Sequence, residues 1–266
     1  GKGGRMLKPR IITAIILLVI LLAVLFVVPA MVAKIIISIV PLVGAWEWSG
    51  FLSFKSNNTR YGYVFIIAAL MAFTVSVLDG YSSQVLQVAC VWWSVAFIWT
   101  FFFPTAIPII FRWICGALVL VPLFVALLEL YTLSPQFLLL ALIIVWAADM
   151  GAYFAGKYFG RVKLAPSISP AKTWEGVLGG LAMVVPIAFV CAHYTDHKIL
   201  VILPFCLAID TLSVVGDLTV SMFKRTAGVK DSGTLLPGHG GILDRVDSIA
   251  AAAPFFALGI IWLGLL

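Results

Sequence analysis

Long apolar runs separated by short polar segments are the feature that most constrains how this chain can fold. Of its 266 residues, 63% are hydrophobic and only 11% are charged. So few charged residues cannot cover a globular fold with a polar surface in water. Because hydrocarbon offers the backbone no hydrogen-bond partners, chain segments in a bilayer must pair their own N–H and C=O groups. The sequence therefore predicts an all-α, polytopic transmembrane helical bundle.

About nine spans fit this pattern, each near the length that a helix needs to cross hydrocarbon. The run at 63–78 is short, and the second span carries Trp46-Glu47-Trp48, so seven or eight full crossings remain open. The predicted spans cover residues 11–28, 35–52, 63–78, 84–103, 113–131, 136–153, 176–194, 199–220 and 246–266.

The orientation follows from Lys and Arg, which are retained in cytoplasmic loops more often than in translocated ones. With nine spans and the N-terminus inside, 15 of the 17 basic residues lie on the cytoplasmic face, and only Lys34 and Lys198 lie outside. We therefore predict a cytoplasmic N-terminus and an external C-terminus. The net charge of +6 then collects on one face, where it attracts lipid headgroups and nucleotide phosphates, although topology alone also produces such a bias. No nucleic-acid partner is expected.

Acidic residues divide the chain into two regions. Only three acids lie in residues 1–135, which we predict to be scaffold helices: Glu47, Asp79 and Glu129. Residues 136–266 contain the other eight, and we predict that they form the catalytic region, with cytoplasmic loops at 155–175 and 224–244. Because charges beside hydrocarbon are costly, we expect the chemistry to lie between these two loops.

The eighth predicted span carries a polar stripe. Asp210, Asp217 and Lys224 recur every seven residues, and Ser213 and Ser221 lie four residues on either side of Asp217. On a helix these residues share one face, which must point at protein or at a water-filled cavity. Two structural alternatives remain: Asp217 pairs with Lys224 across the interior, or the serines bond back to their own helix.

A second acidic pair lies at the start of the ninth predicted span. Asp244 and Asp247 flank Arg245 and fall on one side of the first helical turn. Acids at a helix start are also ordinary caps. The preceding Pro237-Gly238-His239-Gly240-Gly241 favours a binding site, because glycines let backbone N–H groups approach an anion. Carboxylates beside such a turn indicate a metal–phosphate site, and hard oxygen ligands suit Mg²⁺.

His239 is the only histidine among these groups. It is expected to bind phosphate or transfer a proton, with a plain turn residue as the alternative reading. In the other loop, basic residues alternate with glycine, proline and serine, a composition that can cradle polyphosphate: Lys157, Arg161, Lys163 and Lys172. Ser169, Thr173 and Glu175 precede the next span and can bind an anion or cap that helix. Asp149 is a further intramembrane acid within reach of the same cavity.

These residues resemble the signature of the bacterial inner-membrane phosphatidate cytidylyltransferases, also called CDP-diacylglycerol synthases. Further similarity extends over 146–151, 169–176 and 215–218. The residues that carry the resemblance follow the order and spacing of that family: Ser221, Lys224-Arg225, Lys230-Asp231, Pro237, His239-Gly240-Gly241, Asp244-Arg245 and Asp247.

The resemblance implies transfer of CMP from CTP to phosphatidic acid, giving CDP-diacylglycerol and pyrophosphate for phospholipid biosynthesis. It implies Mg²⁺, with a second cation alongside, at Asp217 and Asp244, and Asp247 is the next candidate ligand. It also implies a homodimer in the inner membrane, with the active site facing the cytoplasm. The expected catalytic residues are Asp217, Asp244, Lys224 and His239, and the expected substrate-binding residues are Ser169, Lys172, Thr173, Ser221, Arg225, Lys230, Gly240, Gly241 and Arg245.

Two other classes of function remain open from the sequence. A CTP-dependent lipid-alcohol kinase would share nucleotide-binding residues but transfer the γ-phosphoryl group. A secondary transporter would also place acids within the membrane, yet such proteins usually show repeat symmetry, and none is found in this sequence.

Overall fold

The computed structural model describes residues 3–53, 56–76, 80–195, 197–235 and 240–265. Within these ranges the chain forms helices joined by short connections, one 3₁₀ turn at Ser49–Leu52 and one β-hairpin. The helices are α1 (Gly3–Phe26), α2 (Ala30–Trp48), α3 (Asn57–Ser76), α4 (Ser82–Thr100), α5 (Ile109–Leu133), α6 (Pro135–Phe159), α7 (Trp174–Tyr194), α8 (Ile199–Thr226) and α9 (Leu243–Leu263).

The predicted polytopic helical bundle is confirmed. In the described part of the chain, eight helices, α2 to α9, are long and apolar enough to cross a membrane, and α1 contributes a shorter apolar segment at Ala14–Phe26. Each predicted span corresponds to one of these nine helices. Several helices continue through a proline, as at Pro122 in α5 and Pro254 in α9. Membrane helices tolerate them because neighbouring helices satisfy the freed backbone groups.

Helices α5 and α9 form the centre of the bundle. In each, 67% of the most apolar 18-residue window is buried, against 17% for α3. The peripheral helices present large apolar side chains outwards, among them Phe65 of α3. Such side chains need a lipid environment, so the exposed apolar surface agrees with a membrane protein rather than a water-soluble one.

The first polar loop is more ordered than an all-α prediction allows. Helix α6 continues to Phe159, and the segment before α7 folds into a β-hairpin of β1 (Lys163–Ala165) and β2 (Ser169–Thr173). The strands are antiparallel, with Lys163 opposite Thr173 and Ala165 opposite Ser169. The purely helical prediction misses this hairpin because each strand is too short to produce a readable alternation.

Helices α8 and α9 lie close together where the two acidic motifs begin. A Cβ atom added to Gly216 would overlap the Asp247 carbonyl and lie 3.2 Å from the Ser248 carbonyl oxygen. Only glycine permits this approach, which brings the polar stripe of α8 beside the first turns of α9. At the same end of the bundle the Trp48 ring of α2 packs on Phe223 of α8, with ring centroids 5.0 Å apart.

Candidate active site

Lys172 and Asp217 form an ion pair between the hairpin and α8. The Lys172 Nζ lies 2.7 Å from Asp217 Oδ2, and the two side chains are 25% and 28% exposed. Ser221, one helical turn beyond Asp217, donates its hydroxyl hydrogen to Asp217 Oδ1 at 3.1 Å. Strand β2 thus delivers a cation to the polar stripe of α8, and the pair remains partly open to solvent.

Lys224 and Asp244 form a second, more buried ion pair between α8 and α9. The Lys224 Nζ lies 2.8 Å from Asp244 Oδ1 and 4.0 Å from Asp247 Oδ2. Asp244 also accepts hydrogen bonds from the backbone N–H groups of Ser232 and Gly241, each at 2.9 Å from Oδ2. The Asp247 side chain accepts from the N–H of Ser248 at 2.8 Å. This carboxylate cluster therefore holds Ser232 and Gly241 against the first turn of α9.

The two ion pairs belong to one charged network. Lys172 and Lys224 both lie within electrostatic range of Asp217 and of Asp247. Asp149 of α6 joins the same network, because it interacts with Asp217, Lys172 and Arg245. The structure therefore brings together most of the charged residues that the sequence proposed for the site.

A cavity of about 220 Å³ opens beside the Lys172–Asp217 pair. Its polar lining includes Asp149, Tyr153 and Asp210. Asp210 is only 2% exposed, and its Oδ2 has no hydrogen-bond partner in the described residues. The polar stripe of α8 thus faces a protein-lined cavity, as the sequence predicted for intramembrane charges.

A larger apolar cavity, of about 300 Å³, adjoins the polar one. Leu164, Val177 and Val214 line both cavities. The apolar cavity is bounded further by aromatic side chains of α4 and α7 and of the segment after α4: Phe97, Phe101, Phe103 and Trp174. The polar cavity, which contains the charged side chains, and the apolar cavity therefore share one wall, formed by Leu164, Val177 and Val214.

Two of the predicted substrate-binding residues make local structural contacts. The Thr173 hydroxyl accepts a hydrogen bond from the N–H of Gly176 at 3.1 Å and so caps α7. Arg225 donates from Nε to the Ile168 carbonyl at 3.0 Å and from Nη1 to the Val229 carbonyl at 3.3 Å. Arg225 therefore fixes the hairpin turn to the end of α8.

The other predicted residues lie around the same end of the bundle. Ser169 is half-buried at the start of β2, Lys230 is exposed beyond α8, and Arg245 is exposed on the first turn of α9. Gly240 adopts a positive φ of 77°, a conformation that glycine accepts without strain. His239, proposed for phosphate binding or proton transfer, lies outside the described residues, as do Pro237 and Gly238.

Glu47, which the sequence pattern assigned to the scaffold, also contributes to the structure of the site. Its carboxylate, on α2 and 2% exposed, accepts hydrogen bonds from Ile242 N, Leu243 N and the Ser232 hydroxyl. One signal in the sequence could have indicated its role: an acid within an apolar run is costly and needs a specific partner. The partner itself lies about two hundred residues away and leaves no local pattern.

The donor chemistry of the site fits a hard divalent cation. Asp217, Asp244 and Asp247 supply carboxylate oxygens, which are the ligands that hard divalent cations prefer. In the residues that the structure describes, no three His, Cys, Asp or Glu side chains gather closely enough to form a ready-made metal cluster. The carboxylate oxygens that a cation would bind are paired with the ammonium groups of Lys172 and Lys224, which supply the positive charge beside them.

Comparison with known proteins identifies the family of the chain. The sequence model of the Cytidylyltransferase family matches residues 8–262. The chain belongs to this family. A phosphatidate cytidylyltransferase of Pseudomonas aeruginosa is 40% identical over 97% of both chains, and one of Haemophilus influenzae is 37% identical over 95% of this chain and 98% of its own. A phosphatidate cytidylyltransferase of Staphylococcus aureus is 46% identical over a shorter stretch, 45% of this chain and 46% of its own.

Family membership gives the charged network its context. A cytidylyltransferase must hold a nucleoside triphosphate beside a second anionic substrate, and both carry phosphate oxygens. The charged network and the two cavities lie at the end of the bundle where α8 ends and α9 begins, within the matched residues. This end of the molecule is therefore the candidate active site of a membrane-embedded cytidylyltransferase.

Proposed function

We propose that this chain transfers CMP from CTP to phosphatidic acid and releases pyrophosphate, acting in phospholipid biosynthesis. The relatives that match nearly the whole chain are phosphatidate cytidylyltransferases. The single structural observation that carries the proposal is the shared wall between the charged cavity and the apolar cavity. A substrate with a phosphate headgroup and acyl chains needs both compartments.

The chemistry requires little proton transfer. A phosphatidate oxygen is already anionic near neutral pH, so it attacks the α-phosphorus of CTP without a strong general base. One P–O bond forms to the lipid phosphate, and the P–O bond to the pyrophosphate leaving group breaks. The protein must therefore align the two anions and neutralise their charge, which is the usual basis of catalysis in phosphoryl-type transfer.

We assign the metal site of this reaction to Asp217 and Asp244, with Asp247 as a third ligand or as a partner of the other two, and a second cation alongside. Bound there, Mg²⁺ would supply positive charge for the phosphate oxygens of the substrates. Asp217 orients its carboxylate through Ser221, and Asp244 through the N–H groups of Ser232 and Gly241. These hydrogen bonds fix the carboxylates before any substrate arrives.

We assign the basic side chains of the network to substrate phosphates. Lys172 is the best placed, because its ion pair with Asp217 is partly open and borders the polar cavity. An incoming phosphate would replace the carboxylate as its partner. Lys224, Arg225, Lys230 and Arg245 remain proposed phosphate ligands, and Ser169, Thr173, Gly240 and His239 remain proposed members of the site.

We assign the acyl chains of phosphatidic acid to the apolar cavity. Its wall of Phe97, Phe101 and Trp174 stands at the side of the charged compartment. A lipid that entered sideways from the bilayer would keep its tails among apolar side chains while its phosphate reached the charged network. Burial of the tails in the apolar cavity then helps to position the headgroup, although that cavity makes no charged contact with the lipid.

Product analysis tests the reaction. Purified protein with CTP, Mg²⁺ and phosphatidic acid should release pyrophosphate, and omission of phosphatidic acid should stop the release. Release of CDP would identify the lipid-alcohol kinase, and consumption of no CTP would favour a transporter. Asp217→Asn protein, prepared in parallel, controls for a contaminating enzyme.

The cellular setting is part of the proposal. We propose that the protein resides in the bacterial inner membrane as a homodimer, with the N-terminus and the charged network on the cytoplasmic side, where CTP is available. Impermeant thiol reagents applied to intact cells test this orientation. A cysteine at Thr234 should react only after the membrane is permeabilised, whereas reaction in intact cells would invert the topology.

A further inference from the structure

We propose that Glu47 is a positioning residue of the active site: its carboxylate locks the segment that carries Asp244 in place. Glu47 belongs to α2, in the half of the chain that lacks the signature motif. Its contacts nevertheless converge on Ser232 and on the start of α9, at Ile242 and Leu243, directly before Asp244. The inference rests on the proposed function for its link to catalysis, but its structural part can be measured independently.

The carboxylate of Glu47 has three hydrogen-bond donors from this segment. Oε1 accepts from Ile242 N at 2.9 Å, and Oε2 accepts from Leu243 N at 2.7 Å and from the Ser232 hydroxyl at 2.8 Å. In the described residues no Lys or Arg forms an ion pair with Glu47. Backbone and hydroxyl donors therefore satisfy this buried carboxylate, and such charge-assisted hydrogen bonds are stronger than neutral ones.

These donors lie at the start of α9. Leu243 is the first residue of the helix, and its N–H group is one that no carbonyl of the same helix can satisfy. Glu47 thus caps α9 from another helix, and its negative charge also favours this end of the helix dipole. The cap fixes the first turn of α9, on which Asp244 follows Leu243.

Ser232 connects the cap to the site. Its hydroxyl donates to Glu47, and its backbone N–H donates to Asp244. Gly241 permits the same close packing on the other side, because a Cβ atom there would overlap both the Glu47 carboxylate and the Ser232 hydroxyl. Ser232 and the start of α9 are therefore clamped between two carboxylates: Asp244, which we assign to the chemistry, and Glu47, which holds them in place.

Glu47→Gln is the sharpest variant, because it keeps the volume and turns one acceptor oxygen into a donor NH₂. Either orientation of the amide places that NH₂ against a backbone N–H, of Ile242 or of Leu243, which then loses its acceptor. Loss of such a buried hydrogen bond corresponds to a change of about tenfold or more in the local opening equilibrium. We expect amide hydrogen exchange at Ile242 and Leu243 to accelerate by that factor, with exchange in α5 unchanged.

Activity should change with a particular signature. We expect kcat of Glu47→Gln to fall by about tenfold to a hundredfold, with KM for CTP changed by less than about threefold, because Glu47 touches no substrate and acts through the placement of Asp244. Ser232→Ala should show a smaller loss. The double variant should be no worse than Glu47→Gln alone, since both changes break one linkage. Glu129→Gln, the matched control in α5, should behave as wild type.

Three results would overturn the proposal. The first is unchanged hydrogen exchange at Ile242 and Leu243 in Glu47→Gln. The second is additive losses in the double variant. The third is a loss of activity that disappears when rates are divided by the fraction of folded protein. If wild-type protein released no pyrophosphate while the exchange difference persisted, the clamp would stand and the proposed reaction would fail.

Discussion

The two lysine–aspartate pairs of the site have nearly equal lengths but different surroundings. Lys172 and Asp217 are 2.7 Å apart with side chains 25% and 28% exposed, whereas Lys224 and Asp244 are 2.8 Å apart with side chains 9% and 10% exposed. The first pair borders a cavity. The second is enclosed by backbone N–H donors and by Asp247.

This difference separates two tasks within one site. An ion pair that is partly open costs little to exchange for another partner, and exposed pairs contribute about 0–1 kcal/mol to stability. A buried pair that loses one member leaves an uncompensated charge, which is far more costly. We infer that Lys172–Asp217 is the pair that opens for substrate. Lys224–Asp244 is the frame: it stays paired between α8 and α9 and offers only its remaining N–H donors and carboxylate lone pairs to phosphate and metal.

The largest expected effect is on turnover in Asp217→Asn. The change removes a negative charge from the exchangeable pair without a change of volume, so both the lysine and any bound cation lose their partner. We expect kcat to fall more than about a hundredfold, equivalent to about 3 kcal/mol, with a wild-type melting curve in detergent. Near-normal pyrophosphate release at limiting Mg²⁺ would show that Asp217 does not serve the metal.

The largest expected effect on stability, as opposed to turnover, is in Lys224→Ala. Asp244 and Asp247 would then be buried without their cation, and we expect a loss of about 3–5 kcal/mol together with low activity. Thermal unfolding in detergent, followed by the fraction of soluble protein, measures the effect. Lys172→Ala, in which the lost pair is the open one, is the matched comparison, and equal melting temperatures of the two variants would contradict the division into exchangeable pair and frame.

Lys172→Ala should affect catalysis without unfolding the protein. We expect kcat/KM to fall about tenfold to a hundredfold, because one phosphate ligand is lost, and stability to change by less than about 1 kcal/mol. The Mg²⁺ dependence of the residual rate should stay as in wild type. A large shift of that dependence would instead make Lys172 an organiser of Asp217, and the frame would then extend to the first pair.

The smallest expected effect concerns Thr173, the neighbour of Lys172. If its hydroxyl serves only as the cap of α7, Thr173→Ala should cost about 0.5–2 kcal/mol of stability and leave kcat/KM within about threefold of wild type. Thr173→Ser keeps the hydroxyl and should restore stability. A selective loss of activity in Thr173→Ala at normal stability would assign Thr173 to substrate instead.

The sequence predicts the bundle and the clustering of charged residues around α8 well, for physical reasons. Apolar runs report spans directly, because hydrocarbon admits only helices and barrels. The seven-residue spacing of Asp210, Asp217 and Lys224 reports a single face of α8, since helical periodicity is local. These features depend only on residues close together in the chain.

Contacts between distant segments are where the sequence is insufficient. Glu47 reads as an isolated acid in a scaffold helix, yet it caps α9 and bonds Ser232. Thr173 and Arg225 read as substrate ligands, yet their visible contacts cap α7 and fix the hairpin turn. Pairings of this kind arise from packing across the bundle, for which a single sequence has no periodic signal.

The most direct test of the account follows the fate of individual phosphorus atoms of CTP. Purified protein is supplied with phosphatidic acid, Mg²⁺ and CTP labelled at either the α- or the γ-phosphorus, and the lipid is extracted. The account predicts that α-label enters the lipid fraction in proportion to the pyrophosphate released, that γ-label stays in the aqueous fraction, and that Asp217→Asn abolishes the transfer. Appearance of γ-label in the lipid, or unchanged transfer of α-label by Asp217→Asn, would contradict it.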